Sequence, residues 1–258
     1  MMRLAVRFAY LGAGFSGSQI QPGTRTVEGE MRSTLAKVCG MDDDSLDLRI
    51  ASRTDKGVNA LGNVAVFNTG FEDPHKLLKA MNAVSDGVFY NGFCIVDDEF
   101  NPRHASSRGY RYILDSRGMD LEKARQCASL FVGTHDFVRF CRPDGKSTEV
   151  TIDSIDVEES GNTFILTYRA RFFLWNMVRR TAAAIGSVAS GRSSMSDVES
   201  ALNGKAVNFG IARADALTLT DVTYDWVTFT DHSDPELEAK ACEGSFSAGL
   251  ISEFYRSL

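Results

Sequence analysis

The chain has 258 residues, 43% apolar and 24% charged, an ordinary globular composition for which two domains of about 100–150 residues each are expected. No apolar run approaches the roughly 20 residues of a membrane span, and five scattered cysteines without a C-x-x-C pair argue against a zinc site or disulfide framework and fit a reducing cytoplasm. The net charge of −6 taken alone speaks against a nucleic-acid partner, yet residues 101–192 carry 14 Lys and Arg against 10 Asp and Glu, a basic middle inside an acidic chain.

Arg3 to Tyr10 alternates apolar and polar residues, which predicts a strand and leaves no room for a signal-peptide core. Gly12, Gly14 and Gly17 mark a loop, and Thr26 is placed to cap a helix running to about Val38. Strands are expected at Asp47–Ala51 and Asn63–Phe67, with a polar loop, Ser52–Val58, between them. Pro74 opens a helix to about Asn82, and strands follow at Gly92–Asp97 and Tyr110–Asp115. In the second half, Leu121–Val132 reads as helix. Ile152–Glu158 and Thr163–Ala170 form a hairpin around Ser160-Gly161-Asn162. Leu174–Ser190 is a long Ala-rich helix, Ser194–Leu202 a short one opened by Ser194 or Ser196, and Leu217–Phe229 mostly strand.

Each half therefore reads β-α-β-β-α-β. The expected class is α+β, with two ferredoxin-like (RRM-like) units carrying antiparallel sheets. The units are placed at residues 1–115 and 116–230, and residues 231–258 form an acidic C-terminal appendage.

Chemistry concentrates in Arg53-Thr54-Asp55-Lys56-Gly57-Val58. Flanking cations favour an ionised carboxylate at Asp55, and a rigidly held carboxylate can act as nucleophile or base. Alone, an Arg-x-Asp loop is more commonly a surface ion pair or a turn. Tyr110 and Tyr112, two apart on a strand, share a face. Arg179 sits on a largely apolar helix, where a buried guanidinium needs an anion, and Asp55 is the candidate.

The wider pattern resembles the TruA family of tRNA pseudouridine synthases. The carriers are Arg53-Thr54-Asp55-x-Gly57-Val58-x-Ala60-x-Gly62-x-Val64; Tyr10-x-Gly12-x-x-Phe15-x-Gly17-x-Gln19-x-Gln21 with Thr26-Val27-Glu28-Gly29; and Phe100-Asn101-Pro102-Arg103 with Tyr110-Arg111-Tyr112. They continue with Gly133-Thr134-His135-Asp136-Phe137, Phe173-x-x-x-Met177-Val178-Arg179, and Leu217-x-Leu219-x-x-Val222-x-Tyr224. The six stretches occur in order over residues 3 to about 225.

The resemblance implies two units joined around a central active-site cleft and a catalytic aspartate, Asp55. It implies Arg53 in the place of the flipped nucleotide or on its phosphate, Tyr112 preferred over Tyr110 as the stacking and proton-handling residue, and Arg179 orienting Asp55. Leu217 would pack beneath the base. Tyr110, Arg103, Arg108, Arg111 and Lys56 are assigned to substrate binding, and His104, Arg142, Lys146, Arg169 and Arg171 add to the positive charge. His135 reads as a turn residue, and Arg180 as a solvent or RNA contact. The reaction needs neither cofactor nor metal. The implied partner is tRNA at its anticodon stem-loop, without a membrane, in a homodimer and in the cytoplasm.

Departures from the family pattern are Leu11, Ser18, Ser52, Lys56, Asn59, Val84-Ser85, Ala183 and Ala189, which mark a divergent branch. Two other classes remain open. A non-catalytic RNA-binding protein of ferredoxin-like fold would use the tyrosines as stacking platforms and have no need of Asp55. A nucleotide-binding enzyme would use Gly12-x-Gly14-x-x-Gly17, a lone match with no acidic strand end about 20 residues later.

Overall fold

Alternation along the first strand places Leu4, Val6, Phe8 and Tyr10 on one buried face, and the remaining elements assemble around it. The structure is a computed structural model and describes residues 1–145, 147–235, 238, 239, 242–245 and 248. In chain order it contains β1 (Met2–Tyr10), a single 3₁₀ turn at Gly12–Gly14, α1 (Val27–Cys39), α2 (Asp43–Leu46), β2 (Arg49–Ile50), β3 (Asn59–Thr69), α3 (Pro74–Val84) and β4 (Val88–Val96). The second half adds β5 (Ser107–Asp115), α4 (Leu121–Ser129), β6 (Gly133–Asp136), β7 (Glu149–Ser160), β8 (Thr163–Ala170), α5 (Met177–Ala189), α6 (Met195–Leu202), β9 (Leu217–Thr223) and β10 (Thr230–Asp231).

Local chemistry sets the helix starts. Thr26 Oγ1 accepts from the Gly29 amide, the Asp73 carboxylate from His75 and Lys76, and Ser194 with Asp197 closes a reciprocal capping box. α5 begins later than periodicity predicts. Asn176 takes a left-handed conformation (φ 65°), which turns Leu174 and Trp175 out of the helix.

The strands form one ten-stranded sheet in the order β10-β4-β1-β3-β9-β5-β8-β7-β6, with β2 paired to β3. Within each half the pairing is antiparallel. The halves fuse through a short parallel contact, Asn59 beside Thr218 and Ala60 beside Leu219. One buried face continues across the junction: Tyr10 lies opposite Ala60, Ala60 beside Leu219, Leu219 opposite Tyr110 and Tyr110 opposite Tyr168. On this face α1 packs with α3 over the first half and α4 with α5 over the second, leaving a trough above β3, β9 and β5.

Other expectations shift as well. The strand at 47–51 contracts to two residues, and Gly133–Asp136 is a strand rather than a turn. The last core strand stops at Thr223 instead of running to Phe229. β5 pairs with β8 and β9, both in the second half, so strand pairing divides the halves between β4 and β5 rather than at Asp115. Residues 249–258 of the proposed appendage, and Lys146, lie outside the described residues.

Candidate active site

Asp55 stands in the loop between β2 and β3, at the edge of a cleft of about 1030 Å³ in the trough between the helix pairs. The loop closes as a turn in which the Val58 amide donates to the Asp55 carbonyl (3.1 Å), with Gly57 at φ 86°.

Several segments hold this loop. The Ser18 amide donates to the Thr54 carbonyl (3.0 Å), and the Thr54 amide donates to Ser18 Oγ (2.8 Å). Tyr10 hydroxyl and Thr54 Oγ1 are 2.7 Å apart, and burial pushes the Tyr10 phenol up to about 12, so it remains a neutral hydrogen-bonding group. Asn63 Oδ1 accepts from the Ser52 amide while its Nδ2 donates to the Ser52 carbonyl. Asn59 accepts from the Gly12 amide and donates to the Asp215 carbonyl, tying the first loop to the segment before β9. Gly12 has no room for a side chain, because an added Cβ would collide with the Gly57 and Val58 carbonyl groups. Three departures from the family pattern thus support the loop: Ser18 and Asn59 through the side-chain bonds above, and Ser52 through its Oγ, which accepts from Arg108 Nε (2.9 Å).

The Asp55 carboxylate meets two donors from the other half of the chain. Arg179 Nη1 donates to Oδ2 at 3.2 Å, and the indole Nε1–H of Trp175 donates to Oδ1 at 2.9 Å. Arg179 is itself fixed by a 2.8 Å bond from Nε to the Ala212 carbonyl. The ion partner of Asp55 is therefore Arg179; Arg53 is exposed on the cleft wall and makes no ion pair with it.

Tyr110 and Leu217 form the cleft floor, and Lys56 and Arg103 line its mouth with Arg53. Burial raises the Tyr110 phenol far above its usual value, followed by the effects of Tyr10, of Arg108 in the opposite sense, and of Asp55. The ring meets Phe173 edge-on at 5.1 Å. Tyr112, preferred from the sequence, is on the same strand face but two residues further along. There it lines a separate cavity of about 980 Å³ with Arg117, Arg192 and Arg213. Two residues of strand rise carry it past the cleft wall.

Two of the basic residues assigned to substrate do not face the cleft. Arg111 is exposed on the helix-free face of β5, opposite the tyrosines. Arg108 is 7% exposed and turned inward: Nε donates to Ser52 Oγ (2.9 Å), Nη2 to the Ala51 (3.3 Å) and Arg103 (3.0 Å) carbonyls, and Nη1 to the Arg171 carbonyl. Burial lowers its pKa. It ties the Asp55 loop to three other points of the chain rather than facing a phosphate. Arg169 pairs with Asp221, and His135 hydrogen-bonds the Val132 carbonyl at 3.0 Å.

Trp175 was not singled out from the sequence. It lies inside the Phe173–Arg179 stretch, where nothing in the periodicity separates it from its neighbours. Among the described residues no group of three or more His, Cys, Asp or Glu could hold a metal ion.

The profile of a family described as tRNA pseudouridine synthase matches residues 127–225. Curated relatives named tRNA pseudouridine synthase A include that of Pyrococcus abyssi, 39% identical over 88% of this chain and 87% of its own length. The Methanococcoides burtonii protein is 37% identical over 88% and 86%. Among solved structures, an archaeal box H/ACA Nop10–Cbf5 complex matches 71% of this chain and 43% of that chain, at 10% identity and a TM-score of 0.36.

Proposed function

The chain belongs to the tRNA pseudouridine synthase A (TruA) family, and on that premise we propose that Asp55 is the carboxylate that converts uridine to pseudouridine in tRNA. The enzyme is an isomerase. The bond from uracil N1 to C1′ breaks, the base turns, and C5 bonds to C1′. The C5 proton leaves and N1 gains one, so no atom or electron is gained or lost.

The observation that carries the assignment is the carboxylate itself. Asp55 is ion-paired across the trough to Arg179, above a floor of Tyr110 and Leu217 and beside Arg53, Lys56 and Arg103. A buried or half-buried ion pair is weak support for stability but strong geometry for holding a reactive group in one orientation. A base reaching Asp55 has to leave its stack, at a cost of a few kcal/mol. Arg53, exposed on the wall, is placed to fill the vacated stack or hold the phosphate. Tyr110, rather than Tyr112, takes the stacking and proton-handling role, and Leu217 packs beneath the base. Lys56 and Arg103 contact phosphate; Arg108 supports the loop; Arg111 contacts RNA only if the RNA reaches the helix-free face.

The anticodon stem-loop as target and a homodimeric state rest on the family resemblance. A cytoplasmic setting is supported by Cys39, Cys94, Cys127, Cys141 and Cys242 being free thiols. Among the described residues no helix is long and apolar enough to cross a membrane.

The test is pseudouridine formation on a full set of tRNA transcripts, wild type against Asp55→Asn. Conversion by the wild type and none by the variant, with tRNA binding retained, is the expected result. Binding without conversion by the wild type would favour a non-catalytic RNA-binding protein, and activity surviving in Asp55→Asn would remove the carboxylate from the mechanism.

A further inference from the structure

We propose that Trp175 is a positioning residue for the reaction, holding the second oxygen of Asp55 through its indole N–H, and that Arg142 holds the indole. The proposal rests on the reading of Asp55 as the catalytic carboxylate and adds to it a residue that the sequence pattern did not mark.

Three contacts hold this residue, two on its ring and one on its backbone. The indole Nε1–H donates to Asp55 Oδ1 at 2.9 Å. The Arg142 guanidinium lies over the ring, 4.1 Å from its centroid. The Arg142 amide donates to the Trp175 carbonyl at 2.8 Å, so the same residue fixes both the backbone and the ring. The left-handed Asn176 next to it ends the loop and starts α5, and Arg179 follows one helical turn later. Trp175 and Arg179 thus approach Asp55 from one short segment and take one carboxylate oxygen each.

That division has a consequence. A carboxylate bonded through one oxygen alone can swing about its Cβ–Cγ bond; bonded through both, it presents its remaining lone pairs in one direction. A charged acceptor makes the indole bond one of the stronger kinds. Trp175 is 48% exposed, so core packing does not explain where the ring sits. A large exposed apolar ring with its edge on a carboxylate and its face under a guanidinium is held by polar contacts.

The experiment is single-turnover pseudouridine formation with enzyme in excess, together with tRNA affinity measured separately by filter binding. It compares wild type, Trp175→Phe, Trp175→His and Asp55→Asn. Phenylalanine keeps an aromatic face for Arg142 and removes the donor; histidine restores a ring N–H at a similar reach. Loss of one hydrogen bond to a charged acceptor predicts a rate constant lower by about tenfold or more in Trp175→Phe. Its tRNA affinity should stay within about threefold of wild type, since the bond acts on the carboxylate and not on RNA. Trp175→His should recover part of the loss, an outcome that a purely packing role does not produce.

A wild-type rate constant in Trp175→Phe, or a loss confined to affinity, overturns the proposal. The same holds if histidine performs no better than phenylalanine while both variants melt like the wild type. Asp55→Asn separates the two readings: if it is inactive while Trp175→Phe is unimpaired, Asp55 keeps its role and only the positioning claim falls.

Discussion

Replacing Arg108 with methionine tests whether this cation is a structural tie or an RNA contact. Its guanidinium makes four hydrogen bonds, to Ser52 Oγ and to the carbonyls of Ala51, Arg103 and Arg171, and no carboxylate is among the partners. Bonds from a charged donor contribute about 1.5–3 kcal/mol each, and a buried acceptor left empty costs about 1–3 kcal/mol. Against this, the desolvation penalty of a buried cation, several kcal/mol, is relieved when the charge is removed. The net expectation for Arg108→Met is a loss on the order of 2–4 kcal/mol, which for a chain of this size lowers Tm by about 5–10 °C. Because the Ser52 and Ala51 contacts adjoin the Asp55 loop, the rate constant should fall as well. Arg108→Lys should recover little, since a point ammonium cannot span four acceptors. The assays are urea and thermal unfolding followed by circular dichroism, and tRNA affinity as a function of salt. Arg103→Ala, at the cleft mouth, is the contrast: it should melt normally and lower the salt slope by about one ion. If instead Arg108→Met melts within about 1 °C of wild type and lowers the salt slope, the side chain faces phosphate and the reasoning above fails.

Tyr110→Phe should lower the single-turnover rate constant by roughly 100-fold if the phenol handles a proton, whereas Tyr112→Phe should change it less than about threefold; the reverse order would restore Tyr112 to the site. Gly12→Ala should cost about 1–3 kcal/mol in urea unfolding, because its Cβ meets the carbonyl groups of Gly57 and Val58 and backbone must move. His232 has its pKa lowered from the usual 6.5, by burial first and then by His75, with Asp234 opposing. The His75 and His232 Nδ1 atoms are 3.2 Å apart, so they cannot both carry protons. The stability that neutral His232 contributes is complete above its unfolded pKa and is lost as pH falls through the lowered folded value. Between pH 7.5 and 5, Tm should therefore fall more in the wild type than in His232→Asn; equal slopes would show that the pair is not linked to folding.

Much of this protein was legible without coordinates wherever the determining interactions are local. Thr26, Asp73 and Ser194 cap their helices with groups two or three residues away, and strict alternation along β8, with alternation along β7 broken once at the bulge after Ile152, identifies a half-buried hairpin. The loop bearing Asp55 was readable through the resemblance of Arg53–Val64 to the TruA pattern, and its pairing with Arg179 because a guanidinium on a largely apolar helix needs an anion.

Only the tertiary structure could decide what depends on distant partners. Arg108 reads as a surface cation until Ser52, 56 positions away, turns it inward. Tyr110 and Tyr112 share a strand face, yet Tyr110 lines the cleft and Tyr112 the neighbouring cavity. The fusion of the two halves into one sheet rests on two parallel residue pairs between β3 and β9. Trp175 meets Asp55 across 120 positions of chain. Hydrophobic period and capping chemistry act over a few residues, whereas the direction in which a guanidinium or an indole points is set by which acceptor the folded chain brings within 3 Å of it.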